Sequence, residues 1–228
     1  MRIASKFAAI SVAVASLVMI VGQAQAAEKL SEKVKPQSGF IPDYSLLQKV
    51  DGPKGSQIYR YRKTGVAPEN FNAVLIDPVV LNQASPEGQL TADVLTQTRT
   101  TLDQHIRESV AARGMKIVTE PGPGVLRVSV AISGAELETE GFKPRNILPI
   151  SAVMKLASKA TGMESKTPTL LVESKLVDTQ TQDLVGAGMI TIAGESFRSE
   201  AGTVEGFQAL TKLVVQVATQ LASGSAAK

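Results

Sequence analysis

The chain has 228 residues, and its 24 lysine and arginine side chains against 21 aspartate and glutamate side chains give a formal net charge of +3. It contains no cysteine, which excludes disulfide bonds, thiol catalysis and thiolate metal sites. Two of the basic residues, Arg2 and Lys6, lie at the N-terminal end, and without them the basic and acidic side chains of the chain nearly balance. A nucleic acid partner, or an anionic membrane as an obligate partner, is therefore not predicted.

The first 26 residues have the three parts of a secretion signal. Arg2 and Lys6 give a positive start, residues 7–21 form an almost unbroken apolar run, and Ala24–Ala26 fits the small-x-small pattern of a signal-peptidase site. The run is shorter than the roughly 20 residues that a membrane-spanning helix needs. We predict cleavage after Ala26 and a periplasmic or secreted protein without an integral membrane segment. Because a lipid would need a cysteine after the cut, we also predict no lipid anchor.

The remaining chain divides into a leader, one domain and a short tail. Residues 27–37 are charged and show no apolar periodicity, which predicts a flexible leader. Residues 38–224 are predicted to form a single α/β domain, and residues 225–228 a tail. The domain begins with an arm, residues 38–65, in which aromatic residues alternate with proline and glycine. This composition predicts irregular structure with one short strand near Ile58–Arg62.

A strand and a long helix follow the arm. Residues 72–80 form a continuous apolar run, interrupted at Asp77-Pro78, which is typical of a strand covered on both faces. Apolar residues then recur at three- and four-residue steps over Leu95–Val110. This spacing predicts a helix with Thr91 as its N-cap and Gly114 just past its end.

The second half of the chain predicts four strands and two further helices. Residues 115–119 and 126–132 are predicted to pair as an antiparallel hairpin around a Pro-Gly-Pro-Gly turn. A short helix is predicted at Ile150–Thr161. A second strand pair, Thr169–Val177 and Leu184–Ala193, is joined by a polar turn.

The last element, residues 203–222, carries an apolar stripe at helical spacing, with Thr203 as its predicted cap. Hairpins outnumber long crossovers in this order of elements. We therefore predict an α/β (α+β) fold with a mixed, mostly antiparallel sheet and two main helices packed on one face, preceded by the irregular aromatic arm.

The sequence contains little that points to catalysis. His105, the single histidine, lies one step off the apolar stripe of the first long helix. A metal site would need further donors, and a catalytic base needs a nucleophile beside it. Glu136, Glu138 and Glu140 could face one side of a strand and bind calcium, but the segment lacks the Asp, Asn and Gly of a calcium loop, which favours a solvated edge. We predict no catalytic residue, no metal site and no cofactor.

The arm has the composition of an interface. It brings aromatic residues next to basic ones, a combination that protein interfaces favour: Phe40, Tyr44, Tyr59, Arg60 and Tyr61. The alternative is that the arm wraps its own domain and buries these rings. We predict that these five residues bind a protein partner.

Three motifs carry a resemblance to a known family. Ser38–Leu47 (SGFIPDYSLL), Arg60-Tyr61 and Val74–Val79 (VLIDPV) resemble a family of bacterial envelope proteins, many of them lipoproteins, known as domain of unknown function 3313 (DUF3313). The similarity runs from about Ser38 to the last helix. The resemblance implies an envelope location and a single domain, and it implies no activity. This chain differs from many relatives in lacking the lipidated cysteine.

Together these observations predict an exported, non-enzymatic envelope protein that binds a protein partner in the periplasm or at the cell envelope. Two alternatives stay open. One is a secreted hydrolase that uses His105 as its base. The other is a carrier of a small apolar ligand held between the sheet and the helices.

Overall fold

Two long helices lie on one face of a twisted sheet, and the start of the domain lies on the other. The computed structural model describes residues 38–82, 90–139, 166–198 and 201–222. The predicted signal, the leader, the short helix at Ile150–Thr161 and the tail lie outside the described residues.

The elements of the described residues follow one another in this order: β1 (Gln48–Val50), β2 (Ser56–Arg62), β3 (Ala73–Ile76), β4 (Val80–Leu81), α1 (Ala92–Ala112), β5 (Lys116–Val118), β6 (Val125–Thr139), β7 (Lys166–Asp178), β8 (Leu184–Ala193) and α2 (Ala201–Ala222). One-turn 3-10 helices lie at Tyr44–Leu46 and Pro68–Asn70.

The strands form one mixed sheet in the order β1-β2-β8-β7-β6-β3-β5, and β4 pairs with β6 at Ala131 and Ile132. Neighbours from β1 to β6 are antiparallel, while β3 and β4 run parallel to β6. The two long central strands, β6 and β7, pair from Leu126 opposite Asp178 to Thr139 opposite Lys166. The predicted fold class, a mostly antiparallel sheet with two helices on one face, is confirmed.

The predicted hairpin between β5 and β6 is wrong. Ala73 of β3 pairs with Lys116 of β5 on one side and with Val125 of β6 on the other, and both pairings are parallel. The Pro-Gly-Pro-Gly segment therefore returns the chain past β3 instead of joining two adjacent strands. Alternation of apolar residues identifies a strand but does not identify its neighbour.

Local sequence sets the ends of α1 as predicted. The Thr91 side chain accepts a hydrogen bond from the Val94 amide at 3.3 Å, and Gly114 has a φ of +71°, the left-handed conformation that favours glycine. The helix α2 begins at Ala201, two residues before its predicted cap. Thr203 therefore lies buried in the first turn instead of capping the helix.

The main core lies between the helices and the sheet. The stripe predicted on α2 faces inward, and Phe207 of α2 and Leu102 of α1 are both 0% exposed. They join alternate residues of the central strands in one apolar cluster, including Ile58, Val130, Ile132, Leu170, Val172, Ile190 and Ile192. Because side chains alternate along a strand, the residues between these point to the opposite face.

The opposite face is covered by the first ten described residues, 38–47, which we call the strap. Its Ile41, Tyr44 and Leu47 are buried and form a second apolar cluster with residues of three strands: Tyr59 of β2, Leu171 of β7, and Ala187 and Met189 of β8. The predicted arm is thus an irregular strap followed by the hairpin of β1 and β2, and the strand predicted near Ile58–Arg62 is the end of β2.

Candidate functional site

A fully buried carboxylate lies under the strap. Glu173 directly follows the apolar residues Leu170–Val172 of β7, and it is 0% exposed. Its neighbour Val172 faces the helices, so Glu173 points to the strap side of the sheet. A charged group buried in this way is stable only when hydrogen bonds replace the water that it has lost.

Three hydroxyl groups supply those hydrogen bonds. The Tyr44 hydroxyl donates to Glu173 Oε1 at 2.6 Å, and the hydroxyls of Ser38 and Ser133 both donate to Glu173 Oε2. Ser38 Oγ itself accepts from Asn82 Nδ2 at 2.9 Å and from the Phe40 amide at 3.2 Å. Ser38 Oγ also lies 3.1 Å from the Tyr44 hydroxyl oxygen, so Ser38 links Asn82 and Tyr44 to Glu173. The Glu173 carboxyl group therefore accepts hydrogen bonds from three hydroxyl donors.

The Tyr44 phenol is held in its protonated form. Burial raises the pKa of Tyr44, and the hydrogen bond to Glu173 raises it further, which outweighs the opposing contributions of Ser38 and the Ile41 amide. The phenol thus remains a donor across the physiological pH range. This hydrogen bond ties the strap to the centre of the sheet.

Lys175 places a positive charge next to the outer end of the strap. It lies two residues beyond Glu173 on the same face of β7. Its Nζ lies 4.5 Å from the centre of the Phe40 ring and 3.4 Å from the Phe40 carbonyl oxygen, to which it donates. A cation over an aromatic face is stabilising and fixes the ring at the protein surface.

The structure separates the five predicted interface residues into three groups. Tyr44 and Tyr59 are 8% and 4% exposed and lie inside the strap cluster, whereas Phe40 and Tyr61 pack against that cluster and are only partly buried. Arg60 is apart from them. Its Nη1 donates to the Leu221 carbonyl oxygen at 2.7 Å, at the C-terminal end of α2, where a cation is favourable.

His105 lies between the two helices. Its Nδ1 is 3.1 Å from Thr211 Oγ1, and the Thr211 hydroxyl donates to the Gln208 carbonyl at 2.7 Å, so His105 is the donor in this pair. Thr211 is fully buried, which leaves its hydroxyl inaccessible to a substrate. This arrangement is a helix-to-helix hydrogen bond and contains no poised nucleophile.

The predicted row of glutamates is described only in part. Glu136 and Glu138 lie in β6, and Glu140 lies outside the described residues. Within the parts of the chain that the structure describes, no group of three histidine, aspartate or glutamate side chains could hold a metal ion.

A second polar group, on the same face as Glu173, involves Asp77. Arg127 Nε donates a hydrogen bond to the Asp77 carboxylate at 2.8 Å, and Ser129 Oγ donates a second one to the same carboxylate at 2.6 Å. Burial raises the pKa of Asp77, but the hydrogen bonds from Arg127 and Ser129, with the charges of Arg127 and Lys175, outweigh it and bring the pKa below its ordinary value of 3.8. The group joins the end of β3 to β6.

This shift predicts an acid-dependent loss of stability. Because the pKa of Asp77 is lowered in the folded state, its stabilising effect is present above the ordinary pKa and is lost as the pH falls through the folded value. Arg127 is half exposed, so we expect Asp77→Asn to cost about 0.5–1 kcal/mol at pH 6 and less at pH 3, measured by urea denaturation. The exposed pair of Lys63 and Asp183 gives the control, since Asp183→Asn should cost less at both pH values. An equal cost of Asp77→Asn at both pH values would contradict the prediction.

Tyr44 is the one residue of the cluster around Glu173 that was predicted as a site residue. Ser38 occurs only inside the motif of the resemblance, and Asn82 and Ser133 belong to none of the motifs described above. One signal was available: Glu173 directly follows three apolar residues, Leu170–Val172, in the middle of the predicted strand Thr169–Val177. A charged residue in such a run indicates either a strand edge or a satisfied buried site.

Among the described helices, none is long and apolar enough to cross a membrane.

Comparisons with known proteins find a relative in two strains of Escherichia coli and several similar structures. The chain is 24% identical over 207 residues to an uncharacterized lipoprotein of Escherichia coli K12, YdcL, and the match covers 90% of this chain and 92% of the relative. A DUF4136 family protein from Bacteroides thetaiotaomicron is similar with a TM-score of 0.43 and 11% identity, covering 77% of this chain and 100% of that one. A minor lipoprotein from Acinetobacter baumannii has a TM-score of 0.38 and 8% identity, covering 68% and 94%.

The name of the Escherichia coli relative corrects one prediction. We predicted no lipid anchor, and a relative that matches 90% of this chain is named a lipoprotein, a class of protein that carries such an anchor. The prediction depended only on the lack of cysteine in this sequence. It is contradicted by the relative, and we withdraw it.

The family is shown by a match to a family model. The model, described as a protein of unknown function (DUF3313), covers residues 36–221, which include the strap, the whole described sheet and nearly all of α2. The motif of Ser38–Leu47, which suggested this family, is the strap that Glu173 holds on the sheet. The chain therefore belongs to the DUF3313 family.

Proposed function

We propose that this chain is an exported envelope protein, cleaved after about Ala26, that binds a protein partner through the outer surface of the strap. The lipoprotein name of the Escherichia coli relative and the signal-like start of the sequence support an envelope location. The observation that carries the binding role is the partly buried pair of aromatic rings, Phe40 and Tyr61, at the rim of the strap cluster.

The two kinds of aromatic residue in this region have different roles. Tyr44 and Tyr59 are buried and hold the strap in place, so a partner could not reach them without moving the strap. Phe40 and Tyr61 keep part of their surface exposed on a preformed support. Rigid aromatic rings beside a cation such as Lys175 contribute much contact energy at small entropic cost.

Photo-crosslinking in living cells tests this proposal. A photoreactive amino acid is placed at Phe40 or at Tyr61 in the full chain, and a matched control is placed at Gln104, which is exposed on α1 on the opposite side of the sheet. We expect Phe40 and Tyr61 to give the same cross-linked protein band, absent from Gln104. An exported, folded protein that gives no band from either position, or the same bands from all three, would overturn the proposal.

A further inference from the structure

The strap is attached to the sheet by side chains. Within the described residues, the single backbone-to-backbone hydrogen bond made by residues 39–47 is internal, from the Leu47 amide to the Tyr44 carbonyl at 3.2 Å. The strands beneath, by contrast, are joined by continuous ladders. Residues 39–47 of the strap can therefore leave the sheet without breaking a ladder hydrogen bond.

The side-chain contacts of the strap fall into an apolar group and a polar group. The apolar group is the burial of Ile41, Tyr44 and Leu47. The polar group centres on Glu173, where two of the three hydroxyl donors, Ser38 and Tyr44, belong to the strap. The third donor, Ser133, belongs to β6 and stays with the sheet.

A carboxylate is an unusual anchor for such a segment. Closing the strap removes water from Glu173, and this desolvation offsets much of the gain from the new hydrogen bonds. Opening the strap returns water to Glu173, and it frees the chain entropy of about ten residues. A strap anchored on leucine at this position would have no such compensation on opening, so a buried carboxyl group favours a reversible contact.

We propose that residues 38–47 open and close as a unit while the sheet stays folded, and that Glu173 is the positioning residue that keeps them closed. This inference rests on the proposed function, because the strap is what places Phe40 on the partner surface. Among the described residues, the charged groups on this face of the sheet include Lys175 on β7, with Asp77 and Arg127 at the end of β3 and on β6. A partner that binds only the closed strap shifts the population toward closure by mass action.

Hydrogen–deuterium exchange with mass spectrometry on the full chain tests this device. The amides of Phe40, Ile41 and Leu47 donate hydrogen bonds to Ser38 or Tyr44, the two strap residues that Glu173 holds, so we expect these amides to lose protection when the strap opens. Glu173→Gln keeps the shape of the side chain but replaces one acceptor oxygen with an amide NH2 group, which is itself a donor and faces hydroxyl donors. We expect exchange of residues 39–47 to accelerate at least tenfold in this variant, while exchange in β7 and β8 changes less than twofold.

Two further variants complete the experiment. Tyr44→Phe removes one hydroxyl and keeps the buried ring, so we expect a smaller acceleration in the same residues. Thr211→Val removes a buried hydroxyl on the helix side and should leave exchange of the strap unchanged. If Glu173→Gln does not fold, Tyr44→Phe and Ser133→Ala carry the same comparison.

Two results would overturn the inference. One is a strap and a sheet that lose protection together, which would show a single unfolding unit. The other is that residues 39–47 exchange as slowly in Glu173→Gln, or in the variants that replace it, as they do in the wild type. The exchange measurement needs no partner, so a wild-type chain without a cross-linked band would reject the proposed function and leave the result for the strap intact.

Discussion

Replacing Glu173 with leucine is expected to lower the free energy of unfolding by about 2–4 kcal/mol, although leucine has a similar size and suits the apolar run of β7. The reason is that three hydroxyl groups lose their acceptor. Ser133 is fixed on β6 and remains buried, whereas Ser38 and Tyr44 can regain water if the strap opens. That opening in turn exposes Ile41 and Leu47, so the variant loses stability by either route.

The decisive comparison for Glu173 is a combined variant. Glu173→Leu with Ser133→Ala and Tyr44→Phe removes two of the three hydroxyl donors together with their acceptor, so we expect it to recover at least about half of the lost stability. Urea denaturation of the single and combined variants measures this non-additivity. Thr211→Val, which removes one buried hydroxyl elsewhere, should cost about 1 kcal/mol and serves as the control. Losses in the combined variant equal to the sum of the single losses would contradict the account of the cluster.

The features that the sequence predicted well are those that nearby residues determine. The cap at Thr91, the apolar spacing and Gly114 lie within about 25 positions of one another, and they define α1. The strand pair β7 and β8 is joined by a short polar turn, so its pairing follows from its connection. In both cases the signals are local.

The pairing of β5 was not predictable in the same way. The chain inserts β3, which comes some 40 residues earlier, between β5 and β6. A Pro-Gly-Pro-Gly turn between two apolar segments is typical of a hairpin, and only the tertiary arrangement decides otherwise. Propensity and turn chemistry do not determine which distant strand becomes the neighbour.

The candidate site could be predicted only in its composition. An aromatic arm with basic residues was recognised, but the sequence does not distinguish rings that face inward, such as Tyr44, from rings at the rim, such as Phe40. The cluster at Glu173 joins residues separated by 135 positions in the case of Ser38. No local pattern connects such a pair, although a glutamate directly after three apolar residues of a predicted strand was itself a signal of a satisfied buried site.

The Phe207→Ala substitution tests the other face of the sheet, and we expect it to lower the free energy of unfolding by about 3–5 kcal/mol. Phe207 is 0% exposed and lies in the cluster that joins both helices to the sheet, so its removal leaves a cavity that the surrounding strands cannot close. Leu221→Ala, on the same stripe of α2 but only partly buried, is the matched control and should cost about 1–2 kcal/mol. Urea denaturation gives both values. Because the strap lies on the opposite face, hydrogen exchange of residues 39–47 relative to the sheet should not change in Phe207→Ala. If Phe207→Ala lowers the free energy of unfolding by no more than Leu221→Ala does, α2 does not anchor this core.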